Sequence, residues 1–444
     1  MHLVRGCSKL RGYVVVCLIC SAAAVAQQQP ALSPPGPLRL TLQDALDRAR
    51  RNSVSYQAAL TDAGLAREDR NQARDTLLPS VAYNSSAIYT QGAGEGNVRF
   101  IANNAVHEYV SQGNVHETFD LAGVAGMRRA SAAAAAAKAR AEIASRGLVV
   151  TVVRSYYTAA AAQQKLEAAQ RAADEGERFL HLTQQLENGG EVAHSDVIKA
   201  GLQVNDRRRQ LQEARLALLN ARLDLAVLIF SDFSTNFELA EDLHASVPLP
   251  ALPEVQQRAA RDNPDIRAAL ETVRETGHDV TASRAEYLPS LSLDYFYGID
   301  AAHFATRTAG IQNLGSSAAV TLNIPLWNWG ATQSRFRQAE LRHDQAKREL
   351  SLAQRKLLAE LQSLYAEAET ASTELDSLGK SAELSKESLR LTTLRYKDGE
   401  SSVLEVVDAQ TTATATDAAY QDGAVRYRVA LANLQTLTGV LTAP

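Results

Sequence analysis

Two hydrophobic periods alternate along this chain. The first is a strict two-residue alternation. In "SLSLDYFYG", residues 290–298, Leu291, Leu293, Tyr295 and Tyr297 fall on one face and Ser292, Asp294 and Phe296 on the other. That period predicts a β-strand with two unlike faces. "SVAYNSSAIYT" repeats it more weakly over about 80–90, through Val81, Tyr83, Ala87 and Tyr89. A further strand is expected over 317–326, where Ala318, Val320, Leu322 and Ile324 share a face.

The second period is helical and long. From Ala331 to Lys397 there is no proline and a single glycine, Gly379. Leu350, Leu357, Leu364, Ala371 and Leu378 recur every seven residues, and Leu361, Ala368 and Leu375 each follow four residues after a member of that series. A sustained seven-residue period predicts coiled-coil packing. At 1.5 Å per residue the helix is about 100 Å long. An equally long helix is expected over about 124–188. It holds the run "ASAAAAAAKARAE", read as a place where helices approach closely, since alanine favours helix.

These elements occur twice. "ARRNSVSYQAAL" (49–60) resembles "ARDNPDIRAAL" (260–270), and "DTLLPSVAYNSSAIY" (75–89) resembles "AEYLPSLSLDYFY" (285–297). Tyr156 and Tyr365, like Gly190 and Gly399, are 209 apart, and Pro79 and Pro289 are 210 apart. A period this long means duplicated half-domains, not a short-repeat solenoid. The first repeat is read as 40–230 and the second as 254–440. Residues 231–253, with Pro248, Pro250 and Pro253, link them and are expected to belt the middle of the helices. Each half runs helix (41–77 or 254–287), strand, strand, long helix, glycine turn, helix. The proline of each Leu-Pro-Ser ends the first helix, because proline disfavours helix in its predecessor. Gly/Asn-rich loops, 91–97 and 308–315, separate the strands. The strand expected within 104–118 is placed by the repeat alone. The hairpin tips fall near 187–192 and 396–401.

Composition narrows the compartment. Residues 1–26 read as a secretory signal: Arg5, Lys9 and Arg11 precede an apolar core, and Ala24-Val25-Ala26 offers small residues for cleavage. An N-terminal membrane anchor is the alternative, though an apolar run of about 15 residues is short against the roughly 20 of a span. All three cysteines, Cys7, Cys17 and Cys20, lie in that segment. The chain beyond it, 27–444, is a single protomer with no thiol and with 43 basic against 50 acidic residues, a formal charge of −7. That balance gives no footprint for nucleic acid. No metal site, cofactor or catalytic residue is expected: His107, His116, His181 and His194 are scattered without ligand spacing, and no nucleophile elbow or phosphate loop occurs.

The fold class expected is mainly α with a small β part. Beyond the signal no apolar run is long enough for a membrane helix, so strands must make any membrane contact. Apolar-out, polar-in alternation over about ten residues suits a membrane barrel. Four strands cannot close one. Three copies give twelve, a trimeric barrel continued by a coiled-coil cylinder. Amphipathic strands also occur in soluble sandwiches. A soluble periplasmic coiled-coil scaffold would account for the helices and the signal, but not for the paired strands.

The chain resembles the TolC-like outer membrane efflux proteins. The likeness is carried by "LTLQDALDRARRN" (40–52), the two Leu-Pro-Ser strand starts, "FDLAG" (119–123), "PLWNWG" (325–330) and "DGESSVLEVVDAQTT" (398–412). It implies a passive exit duct in the outer membrane, a homotrimer in contact with lipid. A periplasmic adaptor and an inner-membrane RND or ABC pump would serve it, exporting small molecules, metal ions or proteins. It implies adaptor docking at the tip glycines Gly190 and Gly399, and closed-state bonds at Asp196 and Tyr396. Ser401 stands where the family has an arginine, which leaves Lys199 or Lys397 as other partners. Glu405 and Asp408, three residues apart, share a helix face. Threefold symmetry would make them two rings of carboxylates at the aperture, attracting cations and raising some of their own pKa values. A solvated helix face is the other reading. In the first repeat Asp196 matches Glu405, but Lys199 matches Asp408, so the charged gate is expected in the second half.

Overall fold

Thr41 opens the first helix of the repeated plan. Its hydroxyl accepts the Asp44 amide at 3.1 Å, and the Asp44 carboxylate accepts the Thr41 amide at 3.3 Å. This reciprocal capping satisfies two donors that a helix start leaves bare. The computed structural model describes residues 38–90, 107–231, 236–240, 243 and 247–438. The expected signal, the 91–97 loop and residues 439–444 lie outside them. A short strand β1 (Leu38–Leu40) precedes α1 (Leu42–Asn52) and α2 (Val54–Asp75). Strands β2 (Ser80–Tyr89) and β3 (His107–Phe119) lead into α3 (Leu121–Asn188) and α4 (His194–Ile229). After β4 (Phe237–Leu239), the second half brings α5 (Leu252–Asp262), α6 (Pro264–Ala285) and β5 (Ser290–Ala301). A small hairpin of β6 (Arg307–Thr308) and β7 (Ile311–Gln312) precedes β8 (Leu314–Asn323), α7 (Ala331–Lys397) and α8 (Val403–Leu437).

Two expectations need correction. The helices expected over 41–77 and 254–287 are each broken in two. Ser53 leaves helical geometry at ψ 112° and caps the Tyr56 amide. Asn263 leaves it at ψ 120° and caps Asp265 and Ile266. Pro264 follows Asn263, so helix was disfavoured at that residue in any case. The strand expected over 317–326 instead starts at Leu314 and stops at Asn323. Pro325 has no amide to give a ladder. Within the expected 308–315 loop, the β6–β7 turn has Ala309 and Gly310 both at positive φ, as a tight hairpin turn requires.

Four strands form one antiparallel sheet in the order β2-β3-β5-β8. Leu293 faces Val320 across one pair and Leu291 faces Leu322, while Val81 faces Val115. The register therefore gathers most of the apolar residues on one face, which also carries Glu117, while Ile88, Val110 and Phe296 lie on the other. The mostly apolar face is exposed: Val320 is 65% accessible and Tyr83 71%. The opposite face carries Asn84, Gln112, Asn114, Asp294 and Thr321, and there His116 Nδ1 meets Asp294 Oδ1 at 2.7 Å. Among the described residues no strand pairs with the outer edges of β2 and β8.

The helices repeat the strand order, with α2 beside α3, α3 beside α6, and α6 beside α7. Farther from the sheet, α3 pairs with α4 and α7 with α8, and α3 packs on α8. Ala132, Ala136, Ala137, Ala139 and Ala141 of the alanine run are all buried. The main core lies midway, where Val149, Val152 and Tyr156 meet Leu225, Ile229, Phe237 and Leu243. The Tyr156 hydroxyl donates to the Leu40 carbonyl at 2.9 Å, and Tyr427 to the Val247 carbonyl at 2.6 Å. Described parts of the linker thus pack against α3 and α8. No described helix is long and apolar enough to cross a membrane.

Gly298 is fixed by contact. A Cβ there would collide with the Ser111 carbonyl oxygen and the Gln112 backbone, which cannot give way without parting β3 from β5. Gly298→Val is expected to abolish the folded, heat-modifiable species on unboiled denaturing gels. Gly315→Ala, where nothing lies within 4 Å, is expected to leave it intact.

Candidate functional site

Both hairpins end in the same turn. Gly190 takes φ +77° just past α3, and Gly399 takes φ +74° just past α7. The Glu191 amide donates to the Leu186 carbonyl at 2.9 Å, and the Glu400 amide to the Arg395 carbonyl at 2.8 Å. Inside each, Gly190 bonds Glu187 at 2.9 Å and Gly399 bonds Tyr396 at 3.2 Å. This pair of bonds is the Schellman closure, which wants glycine at its left-handed position. Nothing lies within 4 Å of a Cβ at either glycine. Glycine is therefore required by conformation, not by space.

The helices that leave these turns start differently. Ser402 caps α8: its hydroxyl accepts the Glu405 amide at 3.3 Å, and the Glu405 carboxylate accepts the Ser402 amide at 3.3 Å. Ser401 also donates to Glu405, at 3.0 Å, and Arg395 lies 3.8 Å away. In the first hairpin Ala193 takes the corresponding place and gives no side-chain cap. Glu405, expected as a pore acid, is thus also the third residue of a capping box. The Ser402 amide, followed by the Ser401 and Ser402 hydroxyls, holds its carboxyl below the ordinary range. Crowded acids were expected to shift such groups upward; within the chain, hydrogen bonding moves Glu405 the other way. Asp408 is exposed on the same helix face, one turn on.

Tyr396 sits in the core of the tip, 3% exposed. It packs with Phe179, Ala200, Val403 and Val406, one or more from each of α3, α4, α7 and α8. Its ring centroid is 5.1 Å from that of Phe179, and its hydroxyl donates to Thr183 Oγ1 at 3.4 Å. Burial pushes the phenol up, and the Asp196 carboxylate adds to the rise against the Thr183 bond. Asp196 stands in the first turn of α4, where a helix start favours negative charge, and pairs with Lys199 at 3.1 Å. The structure therefore gathers all the expected tip residues at one end of the four helices. The partners Phe179, Thr183 and Ser402 were not anticipated; Ser402-x-x-Glu405 alone had a sequence signal, the capping-box spacing.

Beside this core a cleft of about 400 Å³ opens between α3, α7 and α8, lined by Arg178, His181, Lys397 and Gln410 among others. His194 pairs with Glu187 at 2.6 Å. Among the described residues no cluster of His, Cys, Asp and Glu could hold a metal ion.

The sequence model of the family described as outer membrane efflux protein matches residues 45–229 and 255–440, one match for each half. The chain belongs to that family. Its members are channel proteins of the outer membrane, and this chain is one of them. It is 25% identical over 342 residues to the outer membrane protein OprJ of Pseudomonas aeruginosa, covering 76% of this chain and 66% of OprJ. It is 24% identical over 397 residues to the proteases secretion protein PrtF of Dickeya chrysanthemi, covering 83% of this chain and 81% of PrtF. The Campylobacter jejuni CmeC outer membrane channel superimposes with a TM-score of 0.77 at 18% identity, covering 90% of this chain and 85% of CmeC. That likeness is one of fold: long helical hairpins carrying a small sheet.

Ser402→Ala is expected to destabilise the start of α8 by about 1 kcal/mol, read as faster amide exchange over residues 403–406. Ala193→Ser is expected to slow exchange at the start of α4. The Glu405 contribution has a definite sign with pH. Folding lowers this carboxyl, so its support is complete above the unfolded carboxylate range and fades as pH falls through the lowered value. Glu405→Ala should remove that acid dependence from the exchange profile of α8.

Proposed function

We propose that this channel is the passive exit duct of an export machine, a homotrimer opened at its helical tips by a periplasmic adaptor. An inner-membrane pump of RND or ABC type would supply the energy, and the chain itself would carry no catalytic centre. The observation that supports this most is the sheet. One of its faces is mostly apolar and the other mostly polar, neither outer edge has a strand partner among the described residues, and it continues directly into hairpins about 100 Å long. Three copies would join the β2 and β8 edges into twelve strands and enclose the polar face. Small molecules, metal ions and proteins all fit a duct of this kind. The family's description as outer membrane efflux protein and the name of PrtF, a proteases secretion protein, are consistent with both efflux and secretion.

At the tip, Gly190 and Gly399 would present the turns to which the adaptor docks. Asp196 and Tyr396 would act in closing the aperture, Tyr396 through packing and Asp196 through charge. Glu405 and Asp408 would form the acidic rings. Because Glu405 is engaged in its own capping box, Asp408 is the freer of the two to face passing cations.

Membrane extraction tests the reading as a whole. The duct should resist salt and carbonate, need detergent, and run as a trimer after cross-linking. Recovery as a soluble monomer would leave the scaffold reading standing instead. In planar bilayers, Glu405→Gln with Asp408→Asn should weaken cation preference and block by multivalent cations, and Asp408→Asn alone should give most of the effect. Unchanged selectivity in the double variant would remove these acids from the pore.

A further inference from the structure

The mostly polar face of the sheet holds a histidine between two partners. His116 of β3 lies directly across from Asp294 of β5. Its Nδ1 meets Asp294 Oδ1 at 2.7 Å, and its Nε2 meets Thr118 Oγ1 at 3.1 Å. An ionised carboxylate only accepts, so Nδ1 donates to Asp294. In the neutral imidazole Nε2 then accepts from the Thr118 hydroxyl. In the charged imidazole both nitrogens donate, and the hydroxyl, able to donate or accept, turns to accept. The three side chains can therefore keep both bonds in either protonation state.

Water reaches the pair: the His116 side chain is 46% exposed and that of Asp294 24%. The residues beside it on the outer strands are small. Ser80 of β2 stands across from His116, and Ala319 of β8 across from Asp294. Ser80 Oγ is engaged with the His116 carbonyl, at 3.2 Å. Other charge on this face is distant. Strands β2 and β8 have no acidic or basic side chain. On the middle strands Glu108 and Asp300 share the face, but they lie eight and six residues from the pair, about 26 Å and 20 Å along a strand. That is at least twice the roughly 8–10 Å over which salt screens exposed charges. His107 and Glu117 belong to the opposite face. The charge at this level of the sheet is therefore set by His116 and Asp294.

We propose that the His116–Asp294 pairs form a second charge filter for small ions, in the barrel and separate from the tip acids, with its preference set by protonation of His116. The proposal rests on the duct reading, in which three copies enclose this face and bring three such pairs to one level of the lumen. With a neutral imidazole each copy presents one net negative charge, and the level favours cations. With a charged imidazole each copy presents an ion pair of no net charge, and that preference is lost. The sign with pH follows. The filter favours cations above the imidazole range and stops doing so as pH falls through it. An imidazole ordinarily changes charge between about pH 5 and 8, so the filter would respond without any movement of the helices.

The test uses the full chain in planar bilayers under a potassium chloride gradient, with the reversal potential read from about pH 8 to about pH 5. Glu405→Gln with Asp408→Asn is the parent, so that these tip acids add nothing to the titration. The expected result is a potential on the cation-selective side in alkali that moves toward zero as pH falls. Adding His116→Gln leaves Asp294 charged throughout and should hold the potential at its alkaline value. Adding Asp294→Asn instead leaves His116 without its counter-charge. That channel should start near zero and cross to anion preference in acid. A parent channel whose potential does not move overturns the filter. So does a His116→Gln channel that keeps the parent's full shift. Where His116→Gln yields no channel, Asp294→Asn decides, and failure to cross to anion preference overturns the filter. The wild-type chain separates the two levels of failure. A wild-type chain that forms no channel overturns the duct reading along with the filter, whereas a conducting channel with pH-independent selectivity overturns the filter alone.

Discussion

A backbone amide or carbonyl left without a partner in hydrocarbon costs several kcal/mol, and this constraint governs the rest of the structure. Strands β2 and β8 are ten residues each, and both have an outer edge with no described partner. One chain cannot meet that demand, because four strands are too few to close. The helices lead to the same conclusion at the same two places. α2 runs into β2 and has no buried residue, with Val54, Leu60 and Leu65 exposed. α7 runs out of β8 and leaves Leu341, Leu352 and Leu358 exposed. The layer order α2-α3-α6-α7 matches β2-β3-β5-β8, so each outer edge of the sheet lies on the same side of the chain as the matching edge of the helical layer. A neighbouring copy that satisfied one would cover the other.

The duplication explains why these edges match. Each half supplies two strands and two layer helices in one order, with a hairpin that returns toward the middle. Where the halves must join, the fold uses the linker, held to α8 by Tyr427 and Arg428 through the carbonyls of Val247 and Leu243. Where they need not be alike, they have diverged. The tips keep one Schellman turn each, since left-handed glycine is dictated by the reversal itself. The helix starts that follow have separated into a fully capped one at Ser402 and one at Ala193 with no side-chain cap.

Much of this was legible in the sequence wherever a local rule fixes a local structure. The prolines of Leu-Pro-Ser, the glycines at 190 and 399 and the proline-free stretch from Ala331 each constrain the backbone by themselves, and a period of 209 to 210 residues placed them in one plan. Legibility failed where weak local signals competed. Ser53 caps the Tyr56 amide where no proline or glycine marks the break. Ile324-Pro325 kept the alternation of a strand after its hydrogen bonding had ended. At the tip the failure was of another kind. That Tyr396 is a core residue depends on Phe179 and Thr183 in the other half, and no spacing within either half announces that contact. Glu405 was read for its charge, while the serine three residues before it carried the capping signal.

The buried place of Tyr396 changes which interaction should hold the tip together. The pair of Asp196, half-buried, and Lys199, exposed, lies within α4 and bridges no two helices, and a surface pair of this kind is worth about 0–1 kcal/mol. Burial of a large apolar side chain is worth about 1.5–3 kcal/mol, and Tyr396, Val403, Val406 and Phe179 are all buried in one cluster drawn from four helices. Spreading the two hairpins apart at this end would uncover that cluster before it broke any polar bond of comparable value. On the proposed gating, resistance to opening would be chiefly a matter of packing. The nearby acids would then act on what passes through the aperture, and the apolar cluster would set the resistance to opening.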